Sequence, residues 1–353
     1  MKFLTLETTC DETAAAVVTE QLEVLGSVVA SQDDLHERFG GVVPEIASRA
    51  HVERILPVID EALRRAGVRL ADLDAVAVAN TPGLAGSLLV GLVAAKTICV
   101  ALGIPLIAVN HLQAHIYACR LASREEVFPC VGLIISGGHT CLYRCQTPLD
   151  FELLGATVDD AAGEAFDKVG RLLGLPFPGG PNIERAALNG NAAAYAFPRA
   201  KRDDSYDFSF SGLKTAVMRE ATVMPASETT RRQRGAEKKA QLRSGISIAD
   251  VAASFQQALV DTLVDKTVRA AKAFGATEIL MAGGVSANQA LRRTLLREAG
   301  LPVRYPPLNL CTDNAAMIAA AGHYRYEAGL RCGLDIEALP MWPLTSETYS
   351  AAS

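Results

Sequence analysis

The same order of elements is written twice along this chain, and that repetition limits the possible folds more than any single residue does. Apolar runs near 2–7, 13–20 and 23–31, separated by polar residues, predict an opening three-stranded meander. A helix is predicted from Pro44 to Ala66, with Val52, Ile55, Ile59, Ala62 and Ala66 as its apolar stripe. Strand 74–80, helix 85–102, strand 105–109 and a helix opening at HLQAH complete the first unit. The second unit begins with strand 130–136, a GGHT turn, strands 140–146 and 150–157, and helix 160–174. After an irregular stretch, Val251, Phe255, Leu259 and Leu263 mark a long helix, followed by strand 277–282, helix 287–299, a short strand near 302–305 and a helix at CTDN. Each half reads βββαβαβα, the pattern of an α/β protein made of two duplicated lobes around a central cleft.

The length of 353 residues, 50% of them hydrophobic, is enough for two substantial cores. We place the N-terminal lobe at 1–125 and the C-terminal lobe at 126–353, with an inserted segment around 175–248. A formal charge of −5 argues against a broad nucleic-acid-binding surface and confines any RNA contact to a local patch. One such patch is RRQRGAEKKAQLR at 231–243, where Arg231, Arg232, Arg234, Lys238, Lys239 and Arg243 face only Glu237. It reads either as a solvated loop or as a contact to RNA phosphates. Eight cysteines without a C-x-x-C pair, in a chain without a cleavable leader, suit a reducing cytoplasm. The apolar stretch from Gly83 to Val109 is interrupted by Lys96 and broken by Gly103 and Pro105, so it reads as buried helix plus buried strand and no membrane is called for.

The repeat gives meaning to two short motifs. In HLQAH, His111 and His115 lie four apart and share one helical face, with Asn110 as N-cap. An isolated H-x-x-x-H is more often a surface or packed pair than a metal site. Its counterpart in the second half is CTDN, where Thr312 is the expected cap and Asp313 falls in the first helical turn. A pseudo-twofold arrangement sets His111 and Asp313 opposite each other across the cleft, and a shared metal becomes the stronger reading. Leu112 speaks against a zinc peptidase of the H-E-x-x-H type, which requires a general-base Glu at that position.

Glycine motifs should border the same cleft. In LIISGGHT, Gly137 and Gly138 let backbone amides approach a phosphate or carboxylate, although an ordinary hairpin explains them as well. ETTCDET projects Asp11 and Glu12 from the corresponding first hairpin, either as a solvated turn or to steer a metal, water or amine. AGGVSAN opens backbone at Gly283 and Gly284, with the Asn288 amide able to bond a nucleoside; tight strand-to-helix packing is the simpler reading. GLPFPGGPN is rigid at its prolines and open at Gly179 and Gly180, as a ligand rim is. Asp167 either pairs with neighbouring Lys168 or reaches the cleft, and local pairing is the expectation from sequence alone.

Together LETTCDETAAAVV, PEIASRAH, NTPGLAGSLLVG, NHLQAHIYA, LIISGGHT, DDAAGEAFDKVGRLLGLPFPGGP, DFSFSGLKTA, MAGGVSAN and CTDNAAMIA resemble, over nearly the whole chain, the tRNA N6-adenosine threonylcarbamoyltransferases of the bacterial TsaD type, once labelled glycoproteases. The resemblance implies an actin-like ATPase-domain fold, the sugar kinase and heat-shock-protein-70 architecture. It implies transfer of a threonylcarbamoyl group from L-threonylcarbamoyladenylate to the N6 amine of the adenosine just 3′ of the anticodon, in tRNAs reading codons that begin with A, with release of AMP. It implies one divalent metal on His111, His115 and Asp313, usually iron(II), though the donor set accepts zinc equally. Substrate contacts are implied at Ile134, Ile135, Ser136, Gly137, Gly138, Asp167, Gly180 and Asn288, and Asp11 matches the family's acidic hairpin residue, to which a catalytic role is assigned. The implied partners are TsaB, a paralogue lacking the metal site, and the ATPase TsaE; the helix near 44–66 is one candidate interface. A kinase or ATPase of the same fold and a non-catalytic scaffold are the other readings, and the intact His, His, Asp set speaks against the scaffold.

Overall fold

The computed structural model describes residues 1–39, 41–123, 125–199, 204–223 and 241–341. Its first half builds β1 (Lys2–Glu7), β2 (Glu12–Thr19), β3 (Val24–Ser31), a one-turn α1 (Asp33–His36), α2 (Pro44–Ala66), β4 (Ala75–Thr81), α3 (Ala85–Leu102), β5 (Leu106–Asn110) and α4 (His111–Ser123). The second half builds β6 (Cys130–Ile135), β7 (Thr140–Thr147), β8 (Asp150–Ala156), α5 (Ala162–Leu172), α6 (Gly179–Ala187), α7 (Ser211–Ala221), a two-residue pair β9 (Thr222–Val223) and β10 (Gln241–Leu242), α8 (Ile248–Ala273), β11 (Glu278–Ala282), α9 (Gln289–Glu298), β12 (Val303–Arg304) and α10 (Ala315–Glu327). The basic residues Arg231, Arg232, Arg234, Lys238 and Lys239 lie outside the described residues; Arg243 is described, and its guanidinium donates to the carbonyls of Thr222 and Arg219.

The two five-stranded sheets are wound alike, in the orders β3-β2-β1-β4-β5 and β8-β7-β6-β11-β12. In each, an antiparallel meander is extended by two strands parallel to its first member. β4 is buried at every position, as a strand covered on both faces must be, which is why it reads as a continuous apolar run. Sequence punctuation sets the helix ends. Pro44 sits at the start of α2, and Gly67 and Gly103 close α2 and α3 at φ 63° and 65°, a backbone region that side-chain-bearing residues avoid.

Three local expectations are corrected. Val52 is 64% exposed and pairs with the exposed Leu56 on the outer face of α2, while the buried stripe runs through Ala47, Ile55, Val58, Ile59 and Ala62. The helix after AGGVSAN starts at Gln289, because Gly284–Ala287 form a 3-10 turn and Asn288 caps α9. The CTDN helix starts at Ala315 with Asn314 as cap, so Thr312 is not the cap and Asp313 stands just before the helix.

The two lobes exchange their last helices. α10, from the second half, lies on the first sheet: Met317, Ile318 and Ala321 pack with Phe3, Ala75, Ala77 and Ile107, and Ala315, Ala316 and Ala319 with Ala14, Ala16 and Val18. α4, from the first half, sets Leu112, Ile116 and Cys119 against Cys130, Ile134 and Leu280 of the second sheet, while Ala114, Tyr117 and Ala118 face the cluster that holds α10. Small residues permit the close approach; a Cβ added to Gly322 would come 2.8 Å from the Cβ of Ala77. The tail beyond α10 also returns to the first sheet. Cys332 bridges to Leu106, Leu339 donates to the Asn80 carbonyl, and Lys96 of α3 donates to the carbonyl of Ile336.

Overpacking at this seam should be costly. Gly322→Leu is expected to lower the free energy of unfolding by about 2 kcal/mol or more, and Leu56→Ala on the outer face of α2 by about 0.5 kcal/mol or less, read from urea titrations. Equal effects would show that α10 does not depend on close contact with β4.

Candidate metal centre

The helix exchange brings two helix starts together. Asn110 ends β5, and its Oδ1 accepts from the amides of Leu112 at 2.9 Å and Gln113 at 3.2 Å, which fixes the opening of α4. His111 and His115, one turn apart, then point the same way, with ring centroids 4.8 Å apart. On the other lobe, Asn314 Oδ1 accepts from Met317 N at 3.0 Å while its Nδ2 donates to the Thr312 carbonyl at 2.9 Å, locking the turn that carries Asp313. Asp313 Oδ1 lies 3.3 Å from His115 Nε2 and 3.6 Å from His111 Nε2.

These three side chains fit a cation. Their ligand atoms all lie within 4.8 Å of one another. Donors on one divalent ion with bonds near 2 Å stand roughly 3 to 3.5 Å apart, close to the 3.3 and 3.6 Å that separate Asp313 from the two histidines. His115 has no exposed surface, and neither of its ring nitrogens forms a hydrogen bond. A buried imidazole left in that state costs stability unless something outside the chain satisfies it. Two imidazole nitrogens and a carboxylate suit iron(II) or zinc and do not choose between them.

The outer side of His111 meets residues that sequence reasoning missed. Its Nδ1 is 3.1 Å from Glu7 Oε2 and 3.3 Å from Thr9 Oγ1, and Glu7 Oε1 accepts from Thr9 N at 2.6 Å. Glu7 is wholly buried at the end of β1. The available signal was an acid closing an otherwise apolar central strand, masked by the more conspicuous Asp11 and Glu12 four and five positions later. Burial opposes a charge on His111, but the carboxylates of Glu7 and Asp313 outweigh it and push its pKa up to about 9. Burial raises Asp313 in turn, and the two histidines more than reverse this, leaving its carboxyl well below the usual range.

His51, from PEIASRAH, is a second residue whose part was not foreseen. It reaches from α2 to clamp the first hairpin, with Nε2 3.0 Å from the Cys10 carbonyl and Nδ1 2.8 Å from Thr13 Oγ1. Between those anchors stand Asp11 and Glu12. Burial, with Asp313 and Asp11 adding like charge, raises the Glu12 carboxyl well above its ordinary value. His139, at the end of the Gly-Gly turn, completes the surroundings; burial and the neighbouring His111 hold its pKa down to about 4, so it stays neutral.

The glycines fall into two groups. At Gly137, Gly138 and Gly180 an added Cβ would meet nothing within 4 Å, so no packing demands glycine there. Gly163, Gly179 and Gly283 would strike backbone at 2.5, 2.4 and 2.4 Å, so they serve close packing, and Gly283 has a positive φ of 90° besides. Ile134 and Ile135 bury their side chains in the core and can offer only backbone. Ser136 accepts from His139 N through Oγ at 3.1 Å and pins the turn. Lys168 pairs with Asp160 at 2.7 Å and Glu164 at 2.6 Å, which corrects the expected Asp167–Lys168 pair. Asp167 instead accepts from Gly179 N at 2.7 Å, tying α5 to the Pro-Gly-Gly loop, and burial raises its pKa. The Asn288 side chain is committed to Leu291 N and to Gln256 Oε1, both through short hydrogen bonds.

A family model described as TsaD, tRNA N6-adenosine threonylcarbamoyltransferase, matches residues 23–320. The tRNA N6-adenosine threonylcarbamoyltransferase of Thermomicrobium roseum is 52% identical over 362 residues, covering 100% of this chain and 99% of its own. That of Bacillus subtilis is 50% identical over 351 residues, covering 98% and 96%. Among solved structures, HypF of T. kodakarensis superposes with a TM-score of 0.62 at 14% identity, over 93% of this chain and 48% of its own. The activator of 2-hydroxyisocaproyl-CoA dehydratase from Clostridium difficile, with bound ADPNP, gives 0.54 at 13% identity, over 93% and 97%. These likenesses concern fold alone, and the fold is the actin-like ATPase domain in two copies.

The raised pKa of His111 has a stability consequence for metal-free protein. The folded value of about 9 lies above the ordinary 6.5, so protonation favours the native state. That contribution, at most about 3 kcal/mol, is fully present below the unfolded value and is lost as pH rises through the folded one. Urea titrations in a chelator are expected to show stability falling between pH 6.5 and 9 and beyond, with zinc flattening the profile. A metal-free profile that is level across this window would show that the proton is not held between Glu7 and Asp313.

Proposed function

Because this chain belongs to the tRNA N6-adenosine threonylcarbamoyltransferase family, and is thus an acyltransferase acting on tRNA, we propose that its interlobe cleft binds L-threonylcarbamoyladenylate beside a divalent ion held by His111, His115 and Asp313. The observation that carries this reading is the fully buried His115, whose Nδ1 has no hydrogen-bond partner and whose Nε2 lies 3.3 Å from a carboxylate of the opposite lobe. The N6 amine of the adenosine 3′ of the anticodon attacks the carbamoyl carbon, the bond to the phosphate oxygen breaks, and AMP leaves. An aryl amine is a poor nucleophile, so the site works mainly by holding it in line with an activated mixed anhydride. When bound, the ion, which family resemblance favours as iron(II), supplies Lewis-acid stabilisation of the charge on the departing phosphate.

The chain's own groups divide the rest. Gly137 and Gly138 leave open space beside the backbone, where the donor lies against the turn continuing from Ile134, Ile135 and Ser136. Asp167 and Gly180 form another rim, and Asn288, whose side chain caps α9 and donates to Gln256, is assigned to the floor under the nucleoside. Asp11 is assigned the proton of the incoming amine, on a hairpin held still by His51.

One outward surface supports the assignment of partners. Val52 and Leu56 on α2 and Leu89, Val93 and Val100 on α3 are 52 to 70% exposed on two helices packed side by side. This apolar face suits a partner with a similar helical face, which we assign to TsaB, with TsaE joining the pair. All eight cysteines are free, in keeping with a reducing cytoplasm. Division into lobes at 1–125 and 126–353 is supported by the two sheets, with the C-terminal tail strapped to the first.

The test of the donor is to incubate the chain, its partners, the adenylate and unmodified tRNA, then digest the RNA and look for threonylcarbamoyladenosine; none formed would overturn it. Asp313→Ala is expected to lose its metal by elemental analysis and its turnover together, since one ligand of three is gone. Full metal occupancy in that variant would refute the shared site. Gly137→Val is expected to abolish adenylate binding, read by calorimetry with a non-hydrolysable analogue, while leaving the unfolding midpoint near wild type, because a Cβ there meets no protein atom within 4 Å. Wild-type affinity there would reduce the turn to a structural hairpin.

A further inference from the structure

We infer that Glu7 is a positioning residue for the metal centre: its buried carboxylate accepts the Nδ1 proton of His111 and so presents the Nε2 lone pair to the ion. The inference rests on the reading of His111, His115 and Asp313 as metal ligands, and it assigns work to a residue that never touches the metal.

A neutral imidazole carries one proton, and which nitrogen keeps it is decided by the partner on the far side of the ring. His111 Nδ1 has two acceptors within reach, Glu7 Oε2 at 3.1 Å and Thr9 Oγ1 at 3.3 Å. With the proton there, the lone pair falls on Nε2, the nitrogen 3.6 Å from Asp313 Oδ1. The opposite tautomer would set two lone pairs against the carboxylate and aim a proton into the ligand cluster. His115 has no such outer partner, since both its ring nitrogens lack hydrogen bonds. Among the described residues, Glu7 is therefore the charged group that orients His111 from its Nδ1 side.

The carboxylate is itself held. Glu7 Oε1 accepts from Thr9 N at 2.6 Å, and β1 pairs Glu7 with Ala14 of β2. The loop at Thr9 is braced by α3: Leu84 N donates to the Thr9 carbonyl at 2.8 Å, and Thr8 Oγ1 donates to the Ser87 carbonyl at 2.8 Å. Among the described residues no Lys or Arg is paired with Glu7, which has no exposed surface. A buried carboxylate without a cation is costly, and a divalent ion on the far side of His111 removes the imbalance. Glu7 and Asp313 would then place their two carboxylates on either side of His111 to face the charge of the ion.

The experiment is zinc affinity of the intact, metal-stripped chain, measured by competition with a chromophoric chelator. In Glu7→Gln the amide oxygen can still accept from Thr9 N, but its NH2 donates toward His111 and favours the tautomer with the proton on Nε2. Zinc affinity is expected to fall about 10- to 100-fold while the metal-free variant still unfolds in one cooperative transition, its midpoint shifted only by the weakened hold on the His111 proton. In a His111→Ala background the same substitution is expected to change affinity by less than about twofold, because its route to the metal is gone. A purely structural role would weaken binding in both backgrounds. Wild-type protein gives an independent check: in zinc-loaded, 15N-histidine-labelled chain, long-range 1H–15N spectra should show His111 protonated at Nδ1 and coordinated through Nε2. Glu7→Gln with wild-type zinc affinity, or His111 coordinated through Nδ1, would overturn the inference while leaving the metal centre standing. A wild-type chain that takes up no zinc or iron(II) would remove both.

Discussion

Everything at the cleft depends on the exchange of α4 and α10 between the two sheets. Each helix is joined by the chain to one lobe and by its side chains to the other: α4 comes after β5 but sets Ile116 against the second sheet, and α10 comes after β12 but sets Met317 and Ile318 against the first. Dispersion at such a seam falls away steeply with distance, so the run of alanines and Gly322 in α10 fixes its height over β4 closely. The helix starts are fixed with it. His111, His115 and Asp313 therefore meet through packing far from them, and their common site reports how the lobes are seated.

That seating also decides the electrostatics. Glu7, His111, His115 and Asp313 form a chain of ionisable groups with little access to water, where charge on one is tolerated only against charge on the next. Without an ion, a proton on His111 is the available balance, hence its raised pKa. With one, the proton becomes unnecessary and two carboxylates face a double positive charge. The same burial that penalises these groups without a counter-charge is what suits the cluster to a cation.

The repeat of three strands, helix, strand, helix, strand, helix was legible because apolar period and breaker residues agreed with each other at nearly every junction. Pro44, Gly67 and Gly103 mark helix ends in the sequence and in the fold alike. Errors arose where two residue types compete for one role. Thr312 and Asn314 both cap helices well, and the choice fell to Asn314 because its side chain can accept from Met317 and donate to Thr312 at once. Val52 fits a helical stripe as well as Val58 does; only the position of the sheet tells which face is inside. Residues of the site that act through others, Glu7 and His51, leave almost no mark in a single sequence, since their meaning lies in contacts 104 and 41 positions away along the chain.

The glycine pairs mark the limit of what sequence can distinguish. GG occurs at 40–41, 137–138, 179–180 and 283–284, and by sequence alone the last three pairs are equivalent. In the fold they are not. Gly179 must be glycine because a Cβ would strike Phe166 and Asp167, and Gly283 because its φ of 90° and the Ile135 carbonyl leave no alternative. Gly137, Gly138 and Gly180 face open space, so the protein itself gives no reason for them. A glycine costs conformational entropy in the unfolded chain, and one with neither a strained backbone nor a close neighbour is best explained by something absent from the free protein. On the proposed reading the packed glycines of the cleft shape its turns and the open ones leave backbone bare for the donor, with Gly137 and Gly138 on the turn that ends at His139, beside His111.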